Sequence, residues 1–293
     1  MSVSPEALTR EAAELYAHTL VPGALHVVST PIGNLGDVTL RALAALSRAS
    51  VVCCEDTRQT RTLLTRYGID TPTTSLHEHN EERAIPAVLE RLDAGEIVAL
   101  VSDAGTPLVS DPGARLVSAV VDRGLRVVPV PGASATLAAV VASGLAPHPC
   151  TIIGFLPRKG PDRRQTLAML ATLPHTAVLF ESPHRLVDTL RDLSSLSTAA
   201  RPAAVARELT KVYEEVRRGT LEQLAAYYDE SPPKGEIVIV LAGATTEDPS
   251  DDQLLTRAAE LRAEGFRPRE IVQRLMDEHG ASRNQAYRLA HEV

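Results

Sequence analysis

No apolar run among the 293 residues approaches the roughly 18 to 20 that a membrane-spanning helix requires, so no membrane association is expected. The opening MSVSPEALTREAAELYAHTL carries acids where a secretory signal carries bases, and the expectation is a soluble protein of the cytoplasm. Cysteine is scarce. Cys53 and Cys54 are adjacent and Cys150 is remote, which gives neither a CxxC metal pair nor an even disulfide framework; all three read as buried thiols. His77 and His79 in LHEHN resemble a metal pair, but no third ligand is spaced to complete it, and no metal is expected. Nor is positive charge in excess. A net charge of −7 excludes a surface that coats nucleic acid indiscriminately, because phosphate contacts come from Lys and Arg. A nucleic-acid partner has to meet local basic patches instead.

What is present is a regular alternation. After some twenty residues that form either a short amphipathic helix or a disordered extension, ALHVVST, TLRALAALSRA, SVVCCE and TRQTRTLLTRYG read as strand, helix, strand, helix. The rhythm continues through AIPAVLERLDAG, EIVALVSD, ARLVSAVVDRG, RVVPVPG and SATLAAVVASG. It predicts an open, largely parallel sheet with helices on its faces. A second rhythm starts near Thr151 with TIIGFLP, RRQTLAMLATL, TAVLFES, HRLVDTLRDLS, PAAVARELT and EIVIVLAGA. Its short, β-branched runs predict a second, mixed sheet that ends near Ala244. The acid-rich TTEDPSDDQ then reads as a linker, and three short helical segments punctuated by Gly265, Pro268, Gly280 and a Ser282 cap resemble a helix-turn-helix unit. The expected organisation is an extension over 1–23, α/β domains over 24–148 and 149–244, and a helix-turn-helix-like domain over 251–293.

Three loops carry the chemistry. SDAGTPLVSDPG (Ser102–Gly113) follows the apolar EIVALV, STPIGNLGD (Ser29–Asp37) follows the first strand, and PVPGASA (Pro129–Ala135) follows the fourth. Turns this rich in Gly and Pro at strand carboxyl ends let backbone amides approach a ligand with no Cβ in the way. SDAGTPLVSDPG alone also reads as two successive turns closing a strand-helix connection; three such loops on one sheet favour a ligand cradle. None matches GxGxxG or GxxxxGK[ST], so a nucleotide-phosphate site is not indicated.

TPIGNLGDVTLRAL, CEDTR, SDAGTPLVSDPG, PGASA, GFLPRK, FESPHR, RELTKVYEE, RRGTL and KGEIVIV, in that order, resemble the ribosomal RNA small subunit methyltransferase I family. The resemblance implies a two-domain tetrapyrrole methylase-like α/β fold with a C-terminal helix-turn-helix unit, a homodimer, and S-adenosylmethionine-dependent 2'-O-methylation of a cytidine in the decoding region of 16S ribosomal RNA. It implies cofactor contacts at Pro31, Asp103, Ala104, Gly105, Thr106, Val109, Ser134 and Ala135, with Phe180 or Glu181 and Leu209 closing the cleft, and no metal. Such loops suit this cofactor, which offers an adenine, a ribose and a zwitterionic tail but no phosphate for a lysine to grip.

Methyl transfer to a ribose hydroxyl needs the oxygen positioned and its proton taken. Candidate catalytic groups are Glu208 and Lys211 in RELTK, Glu214 and Glu215 in YEE, and Glu55 and Asp56 in CEDTR. A carboxylate is available at neutral pH, whereas lysine serves as a base only with a lowered pKa; Glu208 and Lys211 equally read as a surface ion pair. RNA contact is expected at Arg158, Lys159, Arg163 and Arg164 of PRKGPDRR, with Arg58, Arg61 and Arg66 as a second cluster at helical spacing. In the tail, Arg267, Arg269, Arg283 and Arg288 are set among acids, which weakens a generic phosphate surface. The partner is 16S ribosomal RNA or the small ribosomal subunit. Two other functions stay open: a small-molecule methylase of the tetrapyrrole type, against which FLPRKG and the tail argue, and an inactive RNA-binding assembly factor.

Overall fold

The computed structural model describes residues 4–244, 251–279 and 281–293. They divide into two compact units, Met1–Ala242 and Gly243–Val293.

The first unit opens with α1 (Pro5–Leu15), whose Ser4 hydroxyl accepts from the Ala7 amide at 3.2 Å. There follow β1 (Ala24–Val28), α2 (Leu40–Arg48), β2 (Val51–Cys54), α3 (Thr57–Arg66), β3 (Thr73–Ser75), α4 (Glu81–Asp93), β4 (Val98–Leu100), α5 (Ala114–Asp122), β5 (Arg126–Val130) and α6 (Ala135–Ser143). The five strands form one parallel sheet in the order β3-β2-β4-β1-β5. Strands β2 and β4 are buried along their whole length, as apolar runs covered on both faces must be. On one face α1, α2 and α3 pack through Ala12, Leu43, Leu46 and Leu64. On the other, Val88 and Leu92 of α4 meet Leu116 and Val120 of α5. The opening segment is thus a helix belonging to the sheet's own cover, and its Thr9 hydroxyl donates to the Tyr67 carbonyl at 2.8 Å.

Beyond α6 the chain builds β6 (Cys150–Phe155), α7 (Pro161–Thr172), β7 (Thr176–Glu181), α8 (Leu186–Leu196), β8 (Pro202–Arg207), β9 (Glu215–Thr220), α9 (Leu221–Glu230) and β10 (Ile237–Leu241). These strands make a mixed sheet, β6-β7-β10-β8-β9, in which only β6 and β7 run parallel. Helices α7, α8 and α9 cover one face. Ala139 and Val140 of α6 pack against Val178, Ala204 and Val240 on the other, so both sheets belong to a single compact unit. Arg201, 3% exposed, pins the far end. Its guanidinium donates to the carbonyls of Leu170 (2.7 Å), Ala171 (3.3 Å), Leu173 (3.3 Å) and Ala242 (2.8 Å), closing the unpaired carbonyl end of α7.

Strands β3 and β9 and helix α9 have no counterpart in the sequence reading, so PVPGASA follows the fifth strand rather than the fourth. Cys53 and Cys54 are buried, and burial pushes the Cys53 thiol up to about 12. Cys150 departs from expectation. It is exposed on β6, the edge strand of its sheet.

The second unit holds α10 (Asp251–Ala263), α11 (Pro268–His279) and α12 (Arg283–Ala290) around Leu254, Leu261, Ile271, Leu275 and Leu289. The Ser282 hydroxyl caps α12 by accepting from Gln285 N at 3.3 Å. Asp251–Gln253, expected in the linker, open α10. The rest of that linker and Gly280 lie outside the described residues.

Candidate functional site

Parallel strands place the ends of β1, β4 and β5 side by side, and the three loops leaving them are tied together. Thr30 and Gly105 exchange both backbone hydrogen bonds, at 2.9 and 3.0 Å. The Ser29 hydroxyl lies 3.0 Å from that of Thr106, which donates to the Ala133 carbonyl at 3.1 Å. Gly105 sits at φ +79°, and a side chain there would press on Ile32. Leu108 and Ser110 adopt φ +73° and +74°, conformations that non-glycine residues hold only when their surroundings over-determine them.

These loops form one side of a cavity of about 400 Å³. Asp103, Ala104, Gly105, Thr106 and Val109 line it from the loop after β4, and Ser134 and Ala135 line it at the start of α6. Phe180 and Glu181 of β7 and Leu209 in the turn after β8 face them. Pro31 lines an adjoining cavity of about 270 Å³, which shares Ile32, Asp103, Ala104 and Glu236 with the first. Glu181 is already engaged. Its carboxylate accepts from Thr189 Oγ1 and Ser182 N, each at 2.7 Å, and lies 3.5 Å from Arg185.

The main cavity also includes residues that sequence reasoning did not assign to it: Ser110, Asp111, Phe155, Ala206 and the run Gly235–Val238. Phe155 and Phe180 bring their rings to 5.3 Å between centroids. Asp111 reads in the sequence as part of a turn. Burial, together with Glu55 and Asp103 nearby, raises its carboxyl to about 6, against a hydrogen bond from Ser102. Among the described residues no lysine, arginine or histidine lines this cavity, whereas Asp103, Asp111, Glu181 and Glu236 do. The lining fits a ligand that is cationic in part, has flat apolar surface, and carries no phosphate.

The RELTK segment reaches across from the second sheet to the first-strand loop. Thr210 Oγ1 accepts from Asn34 N at 3.0 Å, and the Lys211 stem lies where a Gly33 side chain would stand. The Lys211 ammonium contacts Glu208 at 2.8 Å and Glu236 at 3.1 Å. Burial works to lower its pKa, but the hydrogen bonds to both carboxylates prevail and hold it above its ordinary value. Lys211 therefore keeps its proton at neutral pH. Glu208 is held below the usual carboxylate range, chiefly by Lys211 and also by the Glu236 amide. None of Glu208, Glu214, Glu215, Glu55 and Asp56 lines either cavity; Lys211 lines the second.

The chain matches the model of Tetrapyrrole (Corrin/Porphyrin) Methylases over residues 24–225. It is 51% identical over 255 residues to Ribosomal RNA small subunit methyltransferase I of Mesorhizobium japonicum, covering 85% of this chain and 86% of the relative. The chain belongs to the ribosomal RNA small subunit methyltransferase I family. A second family member, from Synechocystis sp., is 44% identical over 274 residues, 92% of this chain and 98% of the relative. Among solved structures, uroporphyrin-III C-methyl transferase from Thermus thermophilus complexed with S-adenyl homocysteine aligns at a TM-score of 0.53 and 22% identity, over 74% of this chain and 96% of that one. Cobalt precorrin-4 methyltransferase aligns at 0.58 and 20% identity, over 75% and 95%. At these identities the likeness is one of fold.

For a member of the ribosomal RNA small subunit methyltransferase I family, the exposed cations matter, and they divide. Arg158, Lys159 and Arg164 are exposed. Arg163 turns inward instead: its guanidinium donates to Asp192 at 2.7 Å and Thr189 at 3.1 Å, holding α7 to α8. Arg58 is paired with Asp56 at 2.8 Å, Arg61 donates to Thr73 at 3.1 Å, and Arg66 is exposed. In the second unit Arg288 is paired with Asp251, while Arg267, Arg269 and Arg283 are exposed. Among the described residues no three His, Cys, Asp or Glu side chains form a metal cluster, and no helix is long and apolar enough to cross a membrane.

Proposed function

We propose that the protein is a methyltransferase using S-adenosylmethionine to methylate the ribose 2'-oxygen of a cytidine in 16S ribosomal RNA of the small subunit. The observation that carries this reading is the main cavity's lining, which among the described residues offers carboxylates, aromatic faces and backbone groups but no cation. When bound there, the cofactor supplies an electrophilic methyl group to an attacking oxygen. Asp103, Ala104, Gly105, Thr106, Val109, Ser134 and Ala135 bind it, Phe180 and Leu209 close over it, and Pro31 shapes the neighbouring wall. The chain's own contribution is to hold the hydroxyl in line, to exclude water, and to accept its proton on a carboxylate. The cavity walls offer such carboxylates at Asp103, Asp111 and Glu236. Lys211, protonated between Glu208 and Glu236, acts as a fixed cation rather than a base.

Relatives 38–51% identical over most of the chain favour RNA over a tetrapyrrole, since the solved tetrapyrrole enzymes are only 20–22% identical. We place RNA phosphates on Arg158, Lys159 and Arg164 and assign recruitment to residues 251–293. Truncation after Ala244 should leave cofactor affinity intact and slow the reaction on subunits. Assembly as a homodimer in the cytoplasm completes the reading, with exposed Leu137 and Val141 on α6 as the apolar surface to be covered; light scattering checks it. The central test incubates the protein with methyl-labelled cofactor and either isolated small subunits or naked 16S RNA and maps the product. A single labelled cytidine ribose is expected. Label on no RNA, with cofactor bound, would refute the assignment.

A further inference from the structure

The two adjoining cavities differ in one respect that matters chemically. Among the described residues the larger has no cation in its wall, whereas the smaller, of about 270 Å³, has Lys211. Two of the three ammonium donors of Lys211 go to Glu208 and Glu236, which leaves the third for a ligand. Apolar surface comes from Ile32, Leu35, Leu63 and Val101. The wall also holds a buried hydroxyl without a partner: Thr30, 4% exposed, has an Oγ1 that meets no hydrogen-bonding atom among the described residues. A buried polar group of this kind is destabilising until something pairs with it. At the rim, the Gln59 side-chain amide is held by Asp103 Oδ2 at 3.1 Å.

We propose that this second cavity is the subsite for the target nucleotide of the RNA. Thr30 and Gln59 meet the polar edge of the pyrimidine, Lys211 meets the sugar-phosphate, and the apolar residues meet the faces of the ring. Enzymes that act on a base take the nucleotide out of its stack into a pocket, and the pocket beside the cofactor cavity would hold an unstacked nucleotide in the same way. The four shared wall residues make this pocket continuous with the cofactor cavity, so an inserted nucleotide presents its ribose at the junction, beside Asp103 and Glu236. This inference rests on the proposed RNA methylation.

The test uses the full chain with two substitutions. Thr62→Trp fills the mouth of the cavity from an exposed position on α3 whose hydroxyl donates to the Arg58 carbonyl at 3.1 Å. Gln59→Ala removes the rim amide from a second exposed position. Cofactor affinity by calorimetry should stay within about twofold of the parent for both. Turnover on unmethylated small subunits should fall by about 100-fold for Thr62→Trp, the effect of displacing a reactant by about 1 Å. Gln59→Ala should lose about tenfold in kcat/KM, as for one hydrogen bond. Thr62→Trp methylating within about threefold of the parent would overturn the proposal, as would loss of cofactor binding in either variant, which would give the cavity to the cofactor. If Thr62→Trp does not fold, undiminished kcat/KM in Gln59→Ala overturns it alone. A parent that binds cofactor but labels no RNA is a separate result, and it removes the RNA reading itself.

Discussion

The two sheets of the first unit divide the work unequally. Parallel β1 to β5 all end on one side, so three connecting loops meet there and bond to each other through Ser29, Thr106 and Ala133. The mixed sheet is mostly antiparallel, its ends alternate, and it gives the cavity mainly a wall: Phe180 on β7 and Ile237 and Val238 on β10. A parallel sheet concentrates backbone polar groups at one edge, and a mixed sheet supplies surface. Ligand recognition should therefore be sensitive to backbone changes in the first sheet and stability to packing changes in the second.

The largest expected effect is at Gly105. Gly105→Val forces a β-branched residue to φ +79° and against Ile32; cofactor affinity should fall by more than about 100-fold, with the chain still folded but less stable by about 1–3 kcal/mol. Titration calorimetry and thermal unfolding check both, and unchanged affinity would remove the loop from the site. Arg201→Leu is the converse case in the second sheet. It removes the donor to three carbonyls at the end of α7 and to that of Ala242 after β10 and should destabilise by about 3 kcal/mol in urea unfolding, with the folded fraction binding cofactor normally. A mutant that loses affinity but not stability would invert the division of roles.

Smaller effects sharpen it. Replacing Arg158, Lys159 and Arg164 by alanine should flatten the slope of log affinity for RNA against log salt by about 0.7–0.9 for each phosphate that is no longer neutralised. Arg163→Ala should instead lower the melting temperature through Asp192 and leave the slope alone. Asp111 gives the smallest effect and its sign is fixed. Its folded-state pKa of about 6 lies above that of the unfolded chain, so the ionised group destabilises the native state above pH 6, and this penalty fades as pH falls through 6 toward 4. Asp111→Asn should raise the melting temperature at pH 7.5, with the gain gone by about pH 4. Cofactor affinity should weaken in the parent as pH drops through 6, where the carboxylate is neutralised, and should be flatter with pH in the variant.

The parallel sheet was legible because buried strands such as VVCC and VAL are apolar throughout and their helices carry a clear amphipathic period. Strand β3 was not, because Thr73–Ser75 is a three-residue polar edge that becomes a strand only by pairing with β2. Strand β9 reads as a charged loop. Its arginines are accommodated by tertiary contacts, Arg217 lying 3.4 Å above the Tyr227 ring of α9 and Glu215 between Arg207 and Arg217. The three loops that line the cavity could be read because their Gly and Pro residues mark strand ends. Asp111 could not be told from an ordinary turn residue, since its environment is made by burial, by Glu55 after β2 and by Asp103, eight positions earlier in its own loop, which the fold of that loop brings near. Arg163 looks like its basic neighbours in sequence, and only the position of Asp192 on the next helix turns it inward.

The bond from Asn34 to Thr210 joins residues 176 apart in the chain. During synthesis at about 5–20 residues per second, roughly 10–35 s pass between the emergence of its two ends. The parallel sheet and its tied loops can form in that interval, but the Lys211 side of the second cavity cannot. A nascent chain therefore carries the loops of the first sheet long before it has the residues that complete the second cavity, and the two halves of that cavity's wall meet only when most of the first unit has been made.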